Sequence, residues 1–230
     1  MQVSTAANAD ILGETSHRAA IHTATDQTQY TQLAMFFVGL LLTANVIGEK
    51  PLVFGPIILP AGLLLFPMTY LLGDVLTELY GFARSRRVIW MAMLCNLFMC
   101  LMCKLSISLP AAPYWQHTDA YAQILGSSSR LMAISVFTYF SGELINAYIV
   151  SRLKLKMQGR LFWFRALCGS WIGEFIETSL FIPLAFYGRM PNEELLRLAL
   201  FYYAFKVSYA LCAMPFANKL VQVLKRQEAS

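Results

Sequence analysis

Charged residues are scarce in this chain of 230 residues: Asp, Glu, Lys and Arg make up 13% of it, against 57% hydrophobic residues. A soluble globular protein carries about 25% charged residues, and a domain of this size cannot bury so much apolar surface in one core. The mean hydropathy of +0.54 therefore indicates lipid as a second solvent. The composition excludes a soluble enzyme, a disordered chain and a disulfide scaffold, and it indicates an integral membrane protein with one domain.

The histidines, the cysteines and the search for nucleotide-binding motifs give no indication of enzymatic chemistry. The three histidines lie outside the apolar stretches and H-E-x-x-H is absent, so we expect no haem, no metal site and no other cofactor. The five cysteines are odd in number and sit in apolar segments, which predicts no disulfide framework. The C-x-x-C pair Cys100 and Cys103 could indicate a redox enzyme, but such a pair needs an exposed, activated thiolate. No phosphate-binding G-x-x-x-x-G-K-[ST] loop occurs, and we predict no enzyme and no catalytic residues.

Long apolar stretches dominate the sequence. A membrane-spanning helix needs about 20 mostly apolar residues, and six stretches qualify: 32–48, 60–82, 86–108, 129–151, 163–188 and 196–223. Residues 1–31 are polar and predict a disordered tail, which leaves 32–225 as the transmembrane domain. The segment 49–59 is apolar but interrupted by proline and glycine, which predicts a hairpin-like or re-entrant outer loop and a candidate lid.

The basic residues predict the orientation of these spans. Most of the 18 Lys and Arg residues lie in the loops after spans 2 and 4 and in the C-terminal tail. Positively charged loops stay in the cytoplasm, so both termini are predicted to be cytoplasmic. This distribution also accounts for the net charge of +5 without a nucleic-acid partner.

Five carboxylates fall inside the predicted spans, where an ionisable group costs about 2.5–3.5 kcal/mol, and Lys206 lies in span 6. Helical spacing places several of them on shared faces that must turn away from lipid. The predicted substrate-binding residues are Tyr70, Asp74, Glu78, Glu143, Asn146, Trp171, Glu174, Glu177 and Lys206, together with Asn45. An acidic pocket with aromatic walls suits a flat heterocycle, because one carboxylate accepts two parallel hydrogen bonds from adjacent N–H and NH₂ groups.

Structural explanations compete with binding for some of these residues. Glu78 lies near the end of span 2, where it either binds ligand, snorkels or pairs with Arg84. Glu174 could serve as a hydrogen-bond acceptor between helices, and Lys206 as the counter-ion of an acid. Asp74 and Glu177 are the deepest acids in the spans and have no adjacent basic residue, and we expect a functional role for both.

Four of these segments resemble one transporter family. The stretch FPMTYLLGDVLTELYG (66–81) followed by ARSRR (83–87) is similar to the signature of the queuosine precursor transporters, formerly named vitamin uptake transporters. GEFIETSLF (173–181), YAFKV (203–207) with Pro215, and Asn45 fit further family motifs. The resemblance covers roughly residues 33–225, and the Gly-Asp-x-x-x-Glu-x-Tyr-Gly stretch is its most specific part.

The resemblance implies an all-α inner-membrane protein: a bundle of six transmembrane helices like the substrate-binding subunits of energy-coupling-factor transporters. It implies uptake of 7-cyano-7-deazaguanine and 7-aminomethyl-7-deazaguanine for tRNA modification, without a coupling ATPase module. The residues leave open a binding subunit for a vitamin or purine that works with a shared ATP-driven module. They also leave open homo-oligomerisation, and whether transport is facilitated diffusion or coupled to protons.

Overall fold

The computed structural model describes residues 27–48, 50–54, 57–126, 129–188 and 191–229. Its long helices are α1 (Gln27–Ile47), α2 (Phe66–Ser108), α4 (Ser129–Lys156), α5 (Phe162–Phe186) and α6 (Asn192–Ala229), and the short helix α3 covers Thr118–Leu125. Between α1 and α2 lie two short strands, β1 (Pro51–Phe54) and β2 (Ile57–Pro60), and a 3₁₀ turn at Ala61–Leu64. The chain is therefore all-α apart from one small hairpin.

Helix α2 is two helices joined at one residue. Gly81 has φ 78° and ψ 167°, a conformation that is essentially restricted to glycine. The Thr77 hydroxyl donates to Ser85 Oγ at 2.9 Å, whereas eight residues of straight helix would separate these positions by about 12 Å. Leu76 before the bend and Ile89 after it also share one apolar cluster. The first arm (66–80) and the second arm (82–108) therefore fold back on each other, where the sequence predicted a loop over 83–85.

Three helical segments of the described chain are long and apolar enough to cross a membrane: Gln27–Ile47, Ala61–Ser108 and Asn192–Lys225. The reversal at Gly81 divides the second of them into two antiparallel arms. Helices α4 and α5 have 28 and 25 residues, which corresponds to about 42 and 38 Å of helix. Both helices carry buried carboxylates and supply much of the polar interior.

Helix α1 includes residues 27–31, which the sequence predicted to belong to the disordered tail. Tyr30 packs edge-to-face on Tyr80 with ring centroids 5.1 Å apart, and its hydroxyl donates to the Arg84 carbonyl. These contacts with the bend of α2, and not local hydropathy, account for a helix at these polar residues. The rest of that predicted tail, residues 1–26, lies outside the described residues.

The segment predicted as a hairpin-like or re-entrant loop is a β-hairpin over its described residues. β1 and β2 pair antiparallel with Pro51 opposite Pro60 and Phe54 opposite Ile57. Glu49, Gly55 and Pro56 lie outside the described residues. Leu59 and Leu63 pack on Tyr202 of α6, so the hairpin and the following turn lie against the sixth helix.

Candidate functional site

Polar side chains from four helices meet in the interior of the bundle. The first arm of α2, α4, α5 and α6 each contribute residues one helical turn apart, which places them on one inward face. We call this group the central polar cluster, and its members are at most 6% exposed: Tyr70, Asp74, Tyr139, Glu143, Asn146, Ser170, Glu174, Glu177, Tyr202 and Lys206.

Asp74 is held by two neutral donors, one for each carboxylate oxygen. Asn146 Nδ2 lies 2.8 Å from Asp74 Oδ1, and Ser170 Oγ lies 3.3 Å from Asp74 Oδ2. These bonds connect α2 with α4 and α5. The carboxylate thus has hydrogen-bond partners but no cation in direct contact among the described residues.

Glu177 forms the second connection and includes the buried lysine. The Tyr70 hydroxyl donates to Glu177 Oε2 at 2.7 Å, and Lys206 Nζ lies 2.7 Å from the same oxygen. The ammonium group also lies 5.0 Å from the ring centroid of Tyr202 and 5.7 Å from that of Tyr70. The charge of Lys206 is therefore compensated by Glu177 and by the faces of two aromatic rings.

Glu143 and Glu174 are different, because neither carboxyl group has a hydrogen-bond partner among the described residues. Both side chains are fully buried. Glu143 lies against the backbone of Gly73, and a Cβ at position 73 would collide with the Oε1 atom of Glu143. An unpartnered buried polar group costs free energy and calls for an explanation.

Glycines bring α4 and α5 close together beside the cluster. A Cβ on Gly142 would lie 2.8 Å from the Gly173 carbonyl oxygen and 3.0 Å from Glu177 Cβ. A Cβ on Gly173 would in turn lie 2.7 Å from the Gly142 carbonyl oxygen. The two backbones are thus in direct contact, as small residues allow in membrane helices.

Comparison with known proteins shows the family of the chain. The sequence pattern of the family described as "Putative vitamin uptake transporter" matches residues 60–219. The chain belongs to this family. It is also 23% identical over 158 residues to the "Probable queuosine precursor transporter" of Bacillus subtilis (strain 168), covering 68% of this chain and 69% of that protein. No solved structure matches the chain.

The transporter has a second polar group at the far end of the first arm of α2. The hairpin lies at the other end of this arm. Glu78 Oε2 accepts from Arg165 Nη1 at 2.7 Å, and Glu78 Oε1 accepts from Lys225 Nζ at 2.6 Å. Lys154 lies 3.9 Å from Glu78 and also donates to its backbone carbonyl. We call these four residues the basic-end cluster. Glu78 is thus bound to α4, α5 and α6 through Lys154, Arg165 and Lys225.

Eight of the ten predicted site residues lie in one of the two clusters. Seven lie in the central polar cluster: Tyr70, Asp74, Glu143, Asn146, Glu174, Glu177 and Lys206. Glu78 lies in the basic-end cluster instead, because its position one turn below Asp74 brings it to the end of the bundle. The structure therefore separates Glu78 from the residues with which the sequence grouped it.

Asn45 and Trp171 also lie apart from the central polar cluster. Asn45 donates to the Leu41 carbonyl within α1 and lines a small cavity with Phe66, Asn96 and Tyr139. Trp171 is 41% exposed on the outer side of α5, next to the inward-facing Ser170. Its ring does not form a wall of the cluster in this arrangement.

Tyr139 and Arg165 are among the cluster members that were not singled out from the sequence. The Tyr139 hydroxyl donates to Thr69 Oγ1 at 2.8 Å, and its position four residues before Glu143 was a usable signal. Arg165 is fully buried, although the sequence grouped it with the basic loop residues. Only the tertiary structure brings it to Glu78.

Proposed function

We propose that this transporter imports 7-deazaguanine precursors of queuosine, the 7-cyano and 7-aminomethyl forms, across the bacterial inner membrane for use in tRNA modification. Six transmembrane helices form the path: α1, the two arms of α2, α4, α5 and α6. The ligand leaves chemically unchanged, so the site has binding residues and no catalytic ones. The name of the Bacillus relative and the chemistry of the central polar cluster support this proposal.

The observation that carries the proposal is the pairing of Asp74 with Asn146 and Ser170. Two separate donors each supply one hydrogen bond to one carboxylate oxygen. The edge of a guanine-like ring supplies the same two bonds from adjacent N–H and NH₂ groups, and bonds to a charged acceptor are the stronger kind. A ligand can therefore replace both donors without leaving Asp74 unpaired. Glu177 is the second candidate for this role, with Lys206 setting the charge of the site.

Access to the cluster requires the helices to separate, since its side chains are almost completely buried. The β-hairpin packs on α6 next to Tyr202, and Tyr202 contacts Lys206. We propose that the hairpin acts as the outer lid and that movement of α6 opens the cluster to the ligand.

The proposed orientation follows from the charges at the ends of the bundle. Tyr30 at the start of α1 bonds to Arg84 at the α2 bend, and Lys225 near the end of α6 bonds to Glu78. Both ends of the described chain thus lie at the basic end. Basic ends of membrane bundles face the cytoplasm, and we place both termini there.

The test is restoration of queuosine in the tRNA of a host that cannot make its precursors, with each precursor supplied at low concentration. The wild-type chain should restore the modification, and Asp74→Asn and Glu177→Gln should each lower uptake at least about tenfold, the effect of losing a charge-assisted hydrogen bond. Glu194→Gln, at an exposed position of α6, is the matched control. Normal uptake by both cluster variants at wild-type membrane levels would contradict the proposed role of these acids.

The same assay addresses a vitamin or purine as substrate and dependence on a shared ATP-driven module. Excess guanine or a vitamin that competes with the labelled precursor would indicate the wider specificity. Uptake by the purified chain in vesicles without any other protein would argue against the module.

A further inference from the structure

We infer that Glu143 and Glu174 form a subsite for a cationic ammonium group on the ligand, so that the transporter selects the 7-aminomethyl precursor over the neutral 7-cyano precursor. The inference rests on the proposed function and names the substrate that this function favours. It begins from the charges inside the central polar cluster.

The cluster contains four carboxyl groups and one ammonium group: Asp74, Glu143, Glu174 and Glu177 against Lys206. Lys206 lies in contact with Glu177 Oε2. Asp74 accepts a hydrogen bond on each oxygen. The remaining acids, Glu143 and Glu174, have four unpartnered oxygens and no cation of their own among the described residues.

These two side chains belong to one electrostatic environment. The ionisable groups that act on Glu143 come from three other helices: Asp74 on α2, Glu174 and Glu177 on α5, and Lys206 on α6. Glu174 interacts with Lys206 and Glu177, and it also acts on Asp74. Negative charge therefore exceeds positive charge around both groups when all of them are ionised.

A buried carboxylate without a partner is too costly to persist, so Glu143 and Glu174 carry protons while no ligand ammonium group is bound. A ligand ammonium group removes that need, because it supplies a positive charge and three N–H donors to the carboxylates. One of the two protons leaves to bulk water as the ammonium group arrives, so the local charge is unchanged, and the other glutamate keeps its proton. A nitrile has no donor and no charge, and it leaves both glutamates protonated.

This division of labour assigns different parts of the ligand to different acids. Asp74 or Glu177 takes the guanine-like edge that both precursors share. Glu143 and Glu174 take the substituent at which the precursors differ. Variants of the two groups should therefore have separable effects.

The experiment measures uptake of both precursors by wild type, Glu143→Gln and Glu174→Gln, with Glu194→Gln as control. The amide closely matches a protonated carboxyl group in shape, so these variants should fold, which membrane levels and size-exclusion profiles will check. Wild type should take up the aminomethyl form better. The aminomethyl-to-cyano uptake ratio should fall at least about tenfold in each cluster variant, as expected for loss of a charge-assisted contact.

A second measurement needs no variant. The purified wild-type protein should gain more thermal stability from the aminomethyl precursor than from the cyano precursor at equal concentration, because ligand stabilisation follows affinity. Equal stabilisation, or equal loss of both ligands in both variants, would overturn the subsite. If neither precursor is taken up by wild type, the proposed function itself fails, and this outcome differs from uptake of both with an unchanged ratio.

Discussion

The basic-end cluster provides a quantitative prediction for stability. Glu78 and Arg165 are both fully buried and lie 2.7 Å apart, so removing the Glu78 carboxylate leaves the charge of Arg165 without its counter-ion in the interior. Breaking such a pair from one side costs about 3–5 kcal/mol. Arg165 keeps its bonds to the carbonyl oxygens of Arg160 at 2.9 Å and Gly159 at 3.2 Å. We therefore expect Glu78→Gln to cost about 3 kcal/mol, at the lower end of that range.

Lys225 offers the matched comparison on the same carboxylate. Its side chain is 46% exposed and lies 2.6 Å from Glu78 Oε1. Since an exposed ion pair contributes about 0–1 kcal/mol, Lys225→Met should cost no more than about 1 kcal/mol. The difference in stability loss between Glu78→Gln and Lys225→Met thus distinguishes the buried ion pair from the exposed one, which uses the same carboxylate.

Thermal unfolding of the detergent-purified protein measures these effects. For a chain of this size about 1 kcal/mol corresponds to 2–4 °C, so Glu78→Gln should lower the midpoint by about 6–12 °C and Lys225→Met by less than about 4 °C. The double variant Glu78→Gln/Arg165→Met should be clearly more stable than the sum of the two single losses predicts, because it removes both charges. Strictly additive losses would refute the argument that charge compensation holds this end together.

The bend, the hairpin and the cysteines give three further predictions. Gly81→Ala should destabilise the protein by about 1–3 kcal/mol in the same unfolding assay, because the backbone conformation of Gly81 is open only to glycine. The control Gly39→Ala in α1, where a Cβ meets nothing within 4 Å, should not destabilise it. Equal effects of the two substitutions would contradict this interpretation of the bend. A disulfide between Leu59→Cys and Phe201→Cys, in a chain without other cysteines, should block uptake until it is reduced, because it ties the hairpin to α6; unchanged uptake by the cross-linked protein would remove the lid. Replacing all five cysteines with serine should preserve uptake, since none forms a disulfide and none belongs to either cluster; loss of transport in a well-folded variant would restore a role for Cys100 and Cys103.

The central polar cluster was largely predictable from the sequence. A carboxylate in an apolar stretch must turn inward, and helical spacing then places Tyr70 with Asp74 and Glu174 with Glu177 on common faces. Neither rule predicts which acid forms the ion pair with the lysine. The pairing of Lys206 with Glu177, and the absence of a hydrogen-bond partner for Glu143 in the described part of the chain, depend on how four helices are rotated relative to one another.

The ends of the helices were less predictable, because contacts between distant residues decide them. Composition put residues 27–31 in a polar tail, but Tyr30 packs on Tyr80 and Arg84 at the bend of α2. Charge placed Arg165 in a basic loop, whereas it lies buried on Glu78. Trp171 suggested a stacking wall, but the rotation of α5 that buries Ser170 turns its neighbour outward.

The reversal at Gly81 has a mechanical consequence. A loop of several residues would let the two arms of α2 move independently, but one residue leaves no slack between them. Glu78 is anchored to three other helices three residues before this pivot, and Asp74 lies one turn further along the same rigid arm. Any tilt of the first arm that changes the position of Asp74 therefore strains the contacts of Glu78, so the central polar cluster and the basic-end cluster must rearrange together.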